Sequence, residues 1–161
     1  MAVWQFQVRL LPQAVAATEG LFPGGELAEA QRESIAWWDK SKLDSEAMQR
    51  LRDVLPLGKT WSKELEVFGD LEATCVTILR DGARPTEVSA KLDLRSLSQG
   101  TMDAVLDVAQ RLNCFLVTDD NTILKPVAAS LAVEIEMSPA YRFVRDPHGF
   151  LSDLAAGNES E

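Results

Sequence analysis

The chain of 161 residues is 46% hydrophobic and 25% charged, a balance that fits one globular domain and excludes a disordered, collagen-like or disulfide-stapled chain. Sixteen basic residues against 25 acidic ones leave a net charge of −9, which opposes nucleic acid and anionic membranes and favours a basic partner. The acidic excess grows along the chain, from seven basic against eight acidic groups over residues 1–60, to seven against eleven over 61–125 and two against six over 126–161.

Trp4, Phe6, Val8 and Leu10 alternate with Gln5, Gln7 and Arg9, the period of a half-buried strand that ends at Pro12. Residues 13–25 carry Gly20, Pro23, Gly24 and Gly25 and read as an irregular connection, after which residues 26–38 have a helical pattern. Asp44 is placed to cap a helix with Ala47, Met48, Leu51, Val54 and Leu55 on one side, stopped by Pro56 and Gly58. The period then changes. Leu65 to Phe68, Ala73 to Leu79 and Glu87 to Leu94 read as three strands separated by Gly69-Asp70 and Asp81-Gly82, an antiparallel meander over residues 64–95. In the third strand Val88, Ala90, Leu92 and Leu94 alternate with charged and polar residues, so that row faces a core.

Met102, Val105, Leu106, Ala109 and Leu112 recur at helical spacing and predict a helix over about residues 99–113 that covers one sheet face. Cys114 to Thr118 and Thr122 to Leu124 read as two strands around an Asp119-Asp120-Asn121 turn. Pro126 starts a helix to about Met137, and Ser138-Pro139 and Asp146-Pro147 pair an N-cap with a proline at the first helical position of two further helices. The expected architecture is α+β, a largely antiparallel sheet with helices packed mainly on one face, as a single domain over residues 1–156 with a short flexible tail over 157–161. The opening residues lack the basic and long apolar regions of a secretory signal, and no apolar run reaches the roughly 18 residues of a membrane span, so a cytoplasmic protein is expected. Cys75 and Cys114 each sit in an apolar strand and read as buried reduced thiols.

Chemistry-bearing motifs are sparse. The single histidine, His148, removes any multi-histidine metal site, and Asp146-Pro147-His148 is explained by a helix start. Asp119, Asp120 and Asn121 offer oxygen ligands to a hard cation, but they lack the glycine and bidentate glutamate of a calcium loop and suit a hairpin turn. No phosphate-cradling glycine motif occurs, so neither a cofactor nor a metal is expected. The suggestive constellation is aromatic and acidic: Trp37, Trp38 and Trp61, with Glu64 and Glu66 close to Trp61 in sequence. Core packing competes with interface anchoring for these tryptophans, and in a helix one of the adjacent Trp37 and Trp38 would point away from the core.

Thr60-Trp61-Ser62 with Phe68-Gly69-Asp70, Lys91-Leu92-Asp93-Leu94-Arg95, and Ser138-Pro139-Ala140 leading to Phe143-Val144 and Asp146-Pro147-His148-Gly149-Phe150-Leu151 resemble small acidic bacterial single-domain proteins, including immunity-like proteins that neutralise toxins by binding. The resemblance spans roughly residues 60–154. It implies a non-catalytic binding role; the acidic charge adds the expectation of a basic protein partner, and the aromatic and acidic constellation makes Trp37, Trp38, Trp61, Glu64 and Glu66 the expected contact residues. The alternative is a small-molecule-binding enzyme or hydrolase whose polar groups are His148 or the Asp119/Asp120 pair.

Overall fold

The computed structural model describes residues 1–34 and 36–159. Six strands, β1 (Gln5–Pro12), β2 (Leu65–Gly69), β3 (Cys75–Asp81), β4 (Arg84–Asp93), β5 (Cys114–Thr118) and β6 (Ile123–Leu124), form one antiparallel sheet in the order β2-β3-β4-β1-β5-β6. β1 pairs with β4 over residues 5–9 and with β5 over residues 8–12, and so joins the expected meander to a hairpin. Among the described residues seven helices complete the α+β fold: α1 (Gln13–Thr18), α2 (Glu29–Ser34), α3 (Ser45–Val54), α4 (Gln99–Arg111), α5 (Ala128–Glu136), α6 (Pro139–Arg145) and α7 (Pro147–Glu159).

Register puts Val88, Ala90 and Leu92 of β4 beside Phe6 and Val8 of β1 and Val76 and Ile78 of β3, and all seven are buried. Leu51 of α3, Val105, Leu106, Val108 and Ala109 of α4, and Leu131 and Ile135 of α5 join the same core cluster, with Leu94 packed against it. The opposite face presents Gln7, Arg9, Thr77, Glu87, Ser89 and Lys91 by the same alternation, tied by an Arg9–Glu87 ion pair at 2.8 Å and a Thr77–Ser89 hydroxyl contact at 2.7 Å. Local chemistry sets the helix starts: Asp44 accepts from the Ala47 N–H at 2.9 Å, Ser138 from Tyr141 at 3.2 Å and Asp146 from Gly149 at 3.0 Å.

Two segments differ from expectation. Residues 13–18 form a helix rather than an irregular connection, because Ala14, Ala16 and Ala17 favour helix and Gly20, at φ +70°, closes it with a Leu21 N–H to Ala16 carbonyl bond of 2.8 Å. The predicted helix over 26–38 shrinks to α2, and residues 37–40 form a turn that lets both Trp37 and Trp38 enter the core, which adjacent residues on one helix face could not do. The expected tail falls partly on residues 160 and 161, outside the described residues; α7 carries the backbone through Glu159.

Both sheet edges are covered by the chain itself. Along β2, Gly58 donates to the Val67 carbonyl at 2.7 Å, and Gly69 donates to Pro56 at 2.9 Å. Along β6, Gly24 donates to Ile123 at 2.9 Å and Ile123 donates to Gly25 at 3.0 Å. Gly69 is required at its position: φ is +97°, and a Cβ there would lie 2.4 Å from the Thr74 carbonyl oxygen.

Asp93 is a buried carboxylate held by Arg95, whose side chain donates to it at 3.0 and 2.8 Å and whose backbone N–H donates at 3.0 Å. The Arg95 guanidinium lies 3.9 Å over the Trp4 ring, and the Trp4 indole N–H donates to the Glu72 carbonyl at 3.2 Å. The hydrogen bonds from Arg95 hold the Asp93 carboxyl below its ordinary range. Asp93→Ala is therefore expected to cost about 1–3 kcal/mol in urea denaturation at neutral pH. A folded pKa below the unfolded one gives stability that is complete above the unfolded value and lost as pH falls through the folded value, so the gap between wild type and variant closes in acid.

Cys75 and Cys114 are buried free thiols, and burial raises both, Cys114 up to about 12. Neither is expected to react with a thiol reagent at mildly alkaline pH until the protein unfolds, a difference that reagent labelling with and without denaturant measures.

Candidate functional site

The register of β1 creates an acidic cleft. β5 stays with β1 only as far as the Val8–Thr118 pair, then turns through Asp119, Asp120 and Asn121, while β1 runs back to Gln5 beside β4 alone. A cleft of about 580 Å³ opens there, lined by β1, the β5–β6 turn, and residues of α5, α6 and α7. Among the described residues its lining contains the acids Asp119, Asp120 and Glu134 and no lysine, arginine or histidine side chain, with Met1, which carries the α-amino group, also in the lining. The apolar lining includes Phe6, Ala140 and Phe150, and the rim exposes Met1 (67%), Val3 (51%) and Met137 (72%). Large apolar side chains left in water beside carboxylates define a surface suited to a cationic group carried on an apolar body.

The two aspartates differ in environment. Asp120 is locked into the turn by hydrogen bonds from Thr118 and Thr122, with the Thr118 hydroxyl foremost, and these hold its carboxyl below the ordinary range. Asn121 completes the turn at φ 65°. Asp119 is pushed the other way, chiefly by burial, against the pull of Arg9 and Arg32.

The expected contact residues separate in space. Trp37 and Trp38 are buried in the core cluster, and their indole N–H groups have no acceptor among the described residues. Trp61 is 89% exposed, on a loop held by Thr60, whose hydroxyl lies 2.6 and 2.8 Å from the Ser62 and Leu65 carbonyls and shares its one proton between them. Its neighbours Lys59 and Lys63 are exposed as well, so the field around it is mixed. Glu64 has an exposed side chain, whereas the Glu66 carboxylate is engaged by Arg80. His148 is exposed at the start of α7 and does not line the cleft, whereas Asp119 and Asp120 both do. Among the described residues no group of three His, Cys, Asp or Glu side chains is arranged to hold a metal ion.

Sequence reasoning missed Glu134, Met137 and Phe150. Glu134 and Met137 carried a readable signal, a carboxylate and an apolar side chain at helical spacing near the end of a helix, but not their place in the same cleft as Asp119. The chain matches no protein-family model, no curated protein and no solved structure. No described helix is long and apolar enough to cross a membrane.

Trp61→Ala is expected to leave stability within about 0.5 kcal/mol of wild type, whereas Trp38→Ala should cost about 3–5 kcal/mol. Chemical denaturation of the two variants makes the comparison, and acrylamide quenching should report loss of the most accessible emission in Trp61→Ala alone.

Proposed function

We propose that this protein is a non-catalytic binding module that holds a basic partner protein, in the manner of an immunity-type inhibitor, and that the cleft beside β1 receives a lysine or arginine side chain of that partner. The observation that supports this reading is the composition of the cleft: three carboxylates, no cationic side chain in the lining among the described residues, and exposed Met1, Val3 and Met137. The net charge of −9 steers a cationic partner toward the surface, and the apolar rim slows its departure once seated. Trp61 with Glu64 offers a second contact region, on a loop outside this cleft.

The test uses a synthetic peptide alternating arginine with leucine, and a counterpart in which glutamate replaces arginine, titrated into the labelled protein by NMR with association kinetics at low and high salt. The arginine peptide is expected to shift amides of residues 5–7, 118–120 and 134–140, and the glutamate peptide to shift none. Asp119→Asn with Glu134→Gln should slow association and flatten its salt dependence, whereas Met137→Ala should chiefly hasten dissociation. Shifts confined to residues 59–66 and abolished by Trp61→Ala would move the site to the Trp61 loop. Salt-independent binding that ignores every one of these substitutions would refute the reading.

A further inference from the structure

A second cavity, of about 820 Å³, lies between α3, the segment over residues 39–43, and the outer ends of β2, β3 and β4. Its charge opposes that of the whole chain. Lys40, Lys42, Arg52, Arg80 and Arg84 line it against only Asp39 and Glu66, a local balance of +3 in a protein of net charge −9. Arg80 is engaged by Glu66, and Arg84 by Asp39 at 2.7 Å, so both acids of the lining are already occupied. Lys40, Lys42 and Arg52 have no ion-pair partner among the described residues, and all three are exposed. Phe68, Leu43, Met48 and Pro85 add apolar wall on the same cavity.

Like charges held at one cavity repel each other, and with both local carboxylates already paired that repulsion is relieved by an anion from solution. We infer that this cavity binds a phosphate-bearing small molecule, its anionic group held by Lys40, Lys42 and Arg52 and its organic body lying on the Phe68, Leu43 and Pro85 wall. Several unpaired cations favour a multiply charged anion over a single carboxylate. Nucleic acid is disfavoured by the field of the whole chain, whereas a small anion feels chiefly the charges within a Debye length of about 8 Å. Arg84 supplies a fourth donor, because its pair with Asp39 is about half exposed and can exchange partners.

Inorganic pyrophosphate is the probe, with sulfate and acetate as comparison anions at matched ionic strength, followed by amide NMR and thermal unfolding. Pyrophosphate is expected to shift amides of residues 40–45 and 80–85 and to raise the melting temperature, sulfate to do so more weakly, and acetate to do neither. Lys42→Gln with Arg52→Gln should weaken pyrophosphate about tenfold. Both side chains are exposed and unpaired, so this variant should retain the wild-type spectrum elsewhere. Lys59→Gln with Lys63→Gln, which removes the same charge beside Trp61, should leave the affinity unchanged. The inference is overturned if no shift reaches residues 40–45 or 80–85 by about 10 mM pyrophosphate, if acetate binds as well as pyrophosphate, or if the two double variants weaken binding equally. None of these results bears on the acidic cleft, so the two sites succeed or fail separately.

Discussion

Val8 and Arg9 are the residues of β1 that have a strand paired on both sides, because β4 takes residues 5–9 and β5 takes residues 8–12. That short overlap holds a three-stranded meander and a two-stranded hairpin in one sheet, and it requires β1 to be apolar along one face for its whole length. Phe6, Val8 and Leu10 meet that demand and are buried together with Val76, Ala90 and Leu116. The same offset decides where the surface opens: β5 must leave β1 after the Val8–Thr118 pair, and the vacated side of β1 becomes the floor of the acidic cleft. A shift of one residue in this pairing would turn every β1 side chain to the opposite face.

The layout also separates opposite charges. The acidic cleft gathers Asp119, Asp120 and Glu134 at the end of the sheet where β1 begins, and the basic cavity gathers Lys40, Lys42 and Arg52 where the β3–β4 hairpin turns. In an antiparallel sheet these are opposite ends of the strands, because β4 is antiparallel to β1 and starts at the hairpin. The molecule therefore presents a field that is not uniform, even though its sum is strongly negative. The core row is apolar, and Asp93, on the opposite face at the end of β4, is a buried charge that is tolerated because Arg95 satisfies it.

The elements with strong local patterns were legible in the sequence. The alternation in β4, the 3.6-residue spacing in α4, and the caps at Asp44, Ser138 and Asp146 each follow from interactions within a few residues. Residues 13–18 and 37–40 were misread because their conformation depends on competition between an alanine-rich segment and nearby glycines, or on where two adjacent tryptophans find core volume. The acidic cleft was half legible: Asp119 and Asp120 stand out as a pair, while Glu134, Met137 and Phe150 come from separate stretches of the sequence and share the cleft only in the folded chain. The basic cavity was illegible, since Lys42, Arg52 and Arg84 belong to segments with no sequence pattern in common. Overall acidity pointed away from it.

The central position of β1 also has a consequence for how the chain acquires its structure. Its first neighbour, β4, ends at Asp93 and its second, β5, ends at Thr118, so the strand that unites the sheet waits for most of the chain to be synthesised. Contacts that join residues 5–12 to residues 89–118 close long loops, and closing them slows folding relative to a helical protein of equal size. The β3–β4 hairpin needs no such wait, because its pairing lies within residues 75–91. Until β4 and then β5 arrive, the apolar row of Phe6, Val8 and Leu10 lacks its strand partners, which exposes a nascent chain to misassociation until residue 118 has been made.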